Sequence, residues 1–129
     1  MIIRSVEEIA GTPRDVSGEG WRSRRLLVRD DEMGFSLSET SVAAGSELHL
    51  DYRHHLESCF CVEGEAEIED LASGARHRIG PGVLYALDEH DAHVLRVSSD
   101  LRLVCVFNPP LTGGETHDAR GGYAPPIGT

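Results

Sequence analysis

Short apolar runs, broken at almost every interval by glycine or proline, constrain this chain more than any other feature. Fourteen glycines and six prolines in 129 residues fall between segments of strand length: RSRRLLVRD (22–30), GFSLSETSV (34–42), LESCFCVEG (56–64), EAEIEDL (65–71), ARHRIG (75–80), GVLYALD (82–88), HVLRVS (93–98) and LRLVCVFN (101–108). That punctuation predicts an all-β protein. Roughly eight strands so spaced fit a closed barrel or jelly roll, because closure removes exposed edges. EEIAG near the start predicts one helical turn ended by Gly11. ARGGYAPPIGT predicts a mobile tail over about 119–129. The length suits a single domain, 1–129, around one core.

Alternation along the strands assigns faces. Glu57, Cys59 and Cys61 share one side of 56–63, and Leu56, Ser58, Phe60 and Val62 share the other. Leu101, Leu103, Cys105 and Phe107 form a second face, His93, Leu95 and Val97 a third, and Val83, Tyr85 and Leu87 a fourth. Directed inward, these faces gather one carboxylate, one imidazole and one phenol in a mostly apolar lumen. That is the make-up of a small-molecule pocket.

Composition excludes several alternatives. A formal charge of −10 repels phosphates, so no nucleic-acid partner is expected; it suits solubility or a salt-laden cytoplasm. No segment reaches the roughly 20 apolar residues of a membrane span, and MIIRSVEEIAGTPRD does not read as a signal peptide. A cytoplasmic protein is expected. Three cysteines without a CxxC pair read as thiols rather than a disulfide framework.

The order of glycines and ligand-type residues resembles the two blocks of the cupin family, G-x5-H-x-H-x3-E-x6-G and G-x5-P-x-G-x2-H-x3-N. Gly45, Asp51, Arg53, Glu57 and Gly64 fall on the first block, and Gly82, Asp88, His90 and His93 on the second. The outer ligands Glu57 and His93 are kept. The His-x-His pair is replaced by Asp51 and Arg53. An acid on an apolar inner face is costly unless paired or metal-bound, which marks Glu57. Tyr85 admits two readings: a hard phenolate ligand suited to iron, or a barrel tyrosine whose hydroxyl finds a hydrogen bond. His49 and His77 read as surface residues, and His54 and His55 as exposed turn residues.

Over residues 1 to about 123 the chain resembles the ectoine synthase family of small cupins. The resemblance lies in RDVSGEGWRSRRLL (14–27), DDEMGFSL (30–37), YRHHLES (52–58), VEGEAEIEDLASG (62–74), LYALDEHDAH (84–93) and LRLVCVFNPPLTGGETHD (101–118). It implies a cupin barrel (a double-stranded β-helix) and the metal-dependent ring closure of N-γ-acetyl-L-2,4-diaminobutyrate to ectoine, a compatible solute of osmotic stress, with loss of water. It implies iron(II), or another divalent metal, held by Glu57, Tyr85 and His93. It also implies a substrate pocket of Trp21, Ser23, Thr40, Tyr52, Cys105, Phe107, Glu115 and His117, and a homodimer.

The cyclisation needs groups that move protons. His117, paired with Glu115, is expected to accept or orient, and Tyr52 to donate. Two other classes stay open on the residues: an iron-dependent dioxygenase, against which Asp51 and Arg53 speak, and a ligand-binding barrel without catalysis.

Overall fold

The computed structural model describes residues 1–125. A helical turn, α1 (Val6–Ile9), opens the chain, capped by the Ser5 hydroxyl, which accepts from the Glu8 N–H at 3.2 Å. Eight strands follow: β1 (Asp15–Gly18), β2 (Trp21–Leu27), β3 (Ser36–Val42), β4 (Glu47–Leu50), β5 (Leu56–Asp70), β6 (Arg76–Ile79), β7 (Leu84–Leu87) and β8 (His93–Asn108). They form one antiparallel sheet ordered β1-β2-β3-β8-β5-β6, with β4 added to β8 and β7 to β5. The all-β expectation holds. Strands β1 and β4 were not expected from the sequence.

Strands β5 and β8 organise the barrel. The first half of β5 pairs with the second half of β8, from Leu56↔Asn108 to Cys61↔Leu103. The second half of β5 then pairs with the first half of β8, from Ala66↔Val97 to Asp70↔His93. Each strand therefore serves both ends of the barrel. Between the halves the register shifts at Cys61/Glu63, Glu63/Glu65 and Glu65/Ala66. Gly64 lies there at φ +90°, and a Cβ on it would collide with the Asp100 carbonyl, so the corner requires glycine. The two pairs of strands expected at 56–64/65–71 and 93–98/101–108 are thus two continuous strands, bent at a bulge rather than broken by turns.

The faces run as alternation requires. Cys59, Cys61, Leu95, Val97, Leu103, Cys105 and Phe107 are buried in one core, while Phe60 and Val62 on the opposite side of β5 are exposed. At the N-terminal side, Asp31 accepts from Arg4 at 2.7 and 2.8 Å, from Arg14 at 3.3 Å and from the Val28 N–H at 2.9 Å. The Arg4 hydrogen bonds hold the Asp31 carboxyl well below the usual range.

The C-terminal segment lies against β4: Gly121 sits at φ +79° where a Cβ would overlap the His49 carbonyl, and its own carbonyl accepts from the Asp51 N–H at 3.2 Å. This delivers Tyr123 into the core, where it is buried. The tail expected from residue 119 is therefore anchored as far as Tyr123; 126–129 lie outside the described residues. Among the described residues no helix is long and apolar enough to cross a membrane.

Candidate metal and substrate site

One cavity gathers side chains from six strands, β4 contributing Leu48 and Leu50, and from the C-terminal segment. Trp21 and Ser23 come from β2, Thr40 from β3, Glu57 and Cys59 from β5, Tyr85 from β7, and Cys105 and Phe107 from β8; Tyr52, His117 and Tyr123 close it. All the expected pocket residues line it except Glu115. The free space amounts to about 40 Å³.

At the mouth, the Tyr52 hydroxyl lies 2.7 Å from His117 Nε2. Burial raises the Tyr52 phenol well above its ordinary value. Burial, followed by the nearby charge of Arg25, pushes the His117 imidazole down to about 4. Both groups are neutral near pH 7, so the phenol donates and the imidazole lone pair accepts. The His117 ring lies 4.7 Å from Trp21 and stacks on Tyr123 at 4.8 Å and 18°.

Glu115 does not pair with His117 as expected. Its carboxylate accepts from the Thr112 N–H at 2.7 Å and the Gly113 N–H at 2.8 Å. It is held by its own turn because two backbone donors sit within its reach, whereas Tyr52 takes the imidazole.

Three residues at the site departed from expectation or were missed. His55, expected in an exposed turn, is 1% exposed, edge-on to Phe107 at 5.8 Å and Tyr123 at 6.1 Å, and neither ring nitrogen has a partner among the described residues. His90, on the cupin frame, donates through Nδ1 to the carbonyls of Tyr52 at 2.9 Å and His55 at 3.0 Å, fixing the turn that carries both side chains.

Arg25 is 0% exposed. It donates to the Glu115 carbonyl at 2.7 Å, the Gly113 carbonyl at 3.2 Å, Ser23 Oγ at 3.2 Å and the Tyr123 hydroxyl at 3.2 Å. Only the alternation of β2, which puts Arg25 on the face of Ser23, hinted at it.

Deeper in, the donors suit a cation. Glu57 is 7% exposed and forms no ion pair among the described residues. Burial pushes its carboxyl up to about 8, with the thiols of Cys59 and Cys105 offsetting part of the rise. The Tyr85 phenol is raised well above its ordinary value, by burial first and then by Cys59 and Glu57.

His93 Nδ1 lies 2.9 Å from the Asp91 carbonyl, which can only accept, so Nδ1 carries the hydrogen and Nε2 carries a lone pair. That Nε2 is buried without a partner among the described residues. A neutral histidine fixed through its other nitrogen is the usual state of a metal-ligating one. Glu57 and Tyr85 line the cavity, whereas His93 is not among its lining residues and adjoins it through the rings of Tyr52 and Tyr85, each 6.4 Å from its own. An acid, a phenol and an imidazole nitrogen at these positions lack the positive charge that a divalent ion carries, so the donor types suit one.

Comparisons with known proteins agree with one another on the family and the fold. The family model described as ectoine synthase matches residues 1–126. An L-ectoine synthase of Desulfosudis oleivorans is 59% identical over 124 residues, 95% of this chain and 96% of that one. The crystal structure of ectoine synthase from P. lautus superposes with a TM-score of 0.87 at 50% identity, covering 94% of this chain and 87% of that one. A cupin domain of a transcriptional regulator from Enterobacter cloacae, 17% identical, superposes at 0.60 over 70% of this chain and 98% of that one, which shows the cupin fold. The chain belongs to the ectoine synthase family.

Proposed function

We propose that the ectoine-forming reaction of this lyase takes place in the lumen described above, with Glu57, Tyr85 and His93 holding a divalent iron ion and the mouth residues handling substrate and protons. The observation that carries the reading is the buried Glu57 carboxyl group, which has no cationic partner among the described residues, together with the orphaned Nε2 of His93. In N-γ-acetyl-L-2,4-diaminobutyrate the α-amino nitrogen attacks the acetamide carbon, a C–N bond forms, and the carbonyl oxygen leaves as water. The metal supplies Lewis acidity toward that carbonyl, worth several kcal/mol.

The chain's own residues supply the rest. Trp21 and Phe107 are flat walls that hold a flexible substrate in a ring-ready conformer, and Trp21 also faces an ammonium or amidinium favourably. On turning from His117 Nε2, the Tyr52 hydroxyl donates a proton toward the departing oxygen and takes one back from the attacking amine, so that the amine protons leave in the water. His117, with its value near 4, is too weak a base for an ammonium of pKa about 8; it orients the Tyr52 hydroxyl. Glu115 shapes the turn that carries His117, and Arg25 ties that turn to β2. Ser23, Thr40 and Cys105 line the pocket.

Incubation with N-γ-acetyl-diaminobutyrate and iron(II), followed by chromatography, should yield ectoine, and Glu57→Ala should lose both product and bound iron. A Glu57→Ala protein with full iron content and full turnover would overturn the site. We extend the reading to a cytoplasmic homodimer: Phe60 on β5 and Leu84 on β7 are register partners and both exposed, as are Ile2 and Ile3. Light scattering that returned a monomer would remove the dimer.

A further inference from the structure

Cys59 and Cys105 face each other as register partners across β5 and β8, their Sγ atoms 3.4 Å apart. Glu57 precedes Cys59 by two residues and shares its face. A Glu57 oxygen and the two sulfur atoms all lie within 4.8 Å of one another, and all three residues are buried. Zinc bound tetrahedrally at about 2.3 Å from sulfur and 2.0 Å from oxygen sets its ligand atoms roughly 3.5–3.8 Å apart. The three side chains need only small adjustments to reach that spacing.

We infer that Glu57, Cys59 and Cys105 form a second metal position, selective for a thiophilic divalent ion such as zinc. Thiolates favour zinc, whereas a phenol and a carboxylate suit harder ions. Two thiolates alone balance a divalent charge, and an ionised Glu57 leaves the centre with one net negative charge. Binding expels the protons of both thiols, and that of Glu57 when it carries one. The fourth coordination site is left to water.

The inference rests on the proposed iron site in one respect: both positions use Glu57. They cannot both be complete at once, so zinc entering the softer set withdraws a ligand from the harder one. Zinc is therefore an inhibitor of ring closure and not a substitute for iron.

Metal-free protein handled without oxygen and titrated with cobalt(II) tests this directly. A thiolate-to-cobalt charge-transfer band in the near ultraviolet is expected for the native chain and is expected to vanish in Cys59→Val. The same variant should bind zinc at least about tenfold more weakly, a loss that even groups outside the first coordination sphere can produce, while still binding iron(II). X-ray absorption of the zinc-loaded native chain should show sulfur neighbours, which requires no variant. A cobalt spectrum without the band, a band that survives Cys59→Val, or zinc without sulfur neighbours overturns the second position. Sulfur-bound zinc in a protein that binds no iron supports the second position and removes the iron site.

Discussion

Glu39 and Glu57 are carboxylates of nearly equal burial, 4% and 7% exposed, on strands that flank β8 from opposite sides. Their surroundings are opposite in kind. Glu39 points to the outer face of β3 and is covered by guanidinium groups: Arg24 donates twice, Arg102 once at 3.1 Å, and the Ser41 hydroxyl adds a bond at 3.3 Å. Glu57 points inward and meets thiols, a phenol and aromatic rings. A buried acid requires compensation. On the outer face the chain supplies it from its own arginines; in the lumen it leaves the position for a cation taken from solution.

The comparison breaks most visibly at Glu57. Glu57→Gln should lower ring closure by at least about 10³-fold, the scale of several kcal/mol of lost Lewis acidity, and empty the metal site. The metal-free variant should melt no lower than the metal-free parent, because an uncompensated buried acid has been removed. Elemental analysis and calorimetry on the same samples check both parts. A variant that loses stability as well would make Glu57 a structural acid like Glu39.

Tyr52→Phe should lower kcat by about 10²-fold, the smaller end of acid–base contributions, with metal content unchanged. A loss confined to KM would assign Tyr52 to binding alone.

At the paired acid the pattern inverts. Glu39→Gln should destabilise the fold by about 1–3 kcal/mol, since charged hydrogen bonds to Arg24 and Arg102 are lost, yet leave iron content and turnover per folded molecule unchanged. Denaturant titration beside the activity assay separates the two.

The last effect is one of pH. His117 takes up a proton near 4 when folded and near its ordinary value of about 6.5 when unfolded. The unfolded chain therefore binds more protons between those values, and stability falls as pH drops from about 6.5 to 4. His117→Gln should flatten that interval. Asp31, depressed by Arg4, contributes stability above about pH 4 that is lost on further acidification, so Asp31→Asn should flatten only the more acidic part. Unfolding curves across pH that failed to divide in this way would remove the assignment.

Much of the lumen was legible because a strand's faces alternate with period two. Glu57 and Cys59, Leu103 to Phe107, and His93 to Val97 fall on the inner face as their spacing requires. The corner at Gly64 was misread because a glycine amid charged residues resembles a turn, and only the approach of the Asp100 carbonyl from another strand reveals a bulge. His55 and Arg25 were hidden for a related reason. Histidine and arginine are mostly found at surfaces, and the groups that bury these two, Phe107, Tyr123 and the carbonyls of 113 and 115, arrive from the far end of the chain. The role of Glu115 turned on a competition between two donors of its own turn and one imidazole, which composition does not settle. The family resemblance named the pocket residues; their partners emerged only from the packing.

The stacked ring of Tyr123 has a consequence for how tightly this enzyme can hold its substrate. With that ring beside Tyr52, Phe107 and His117, the vacant space is enough for only a few water molecules. A substrate seated in that lumen would compete with the chain's own terminus for one volume. Should substrate displace that ring, the affinity measured from outside would be the intrinsic one diluted by the fraction of molecules whose terminus has withdrawn.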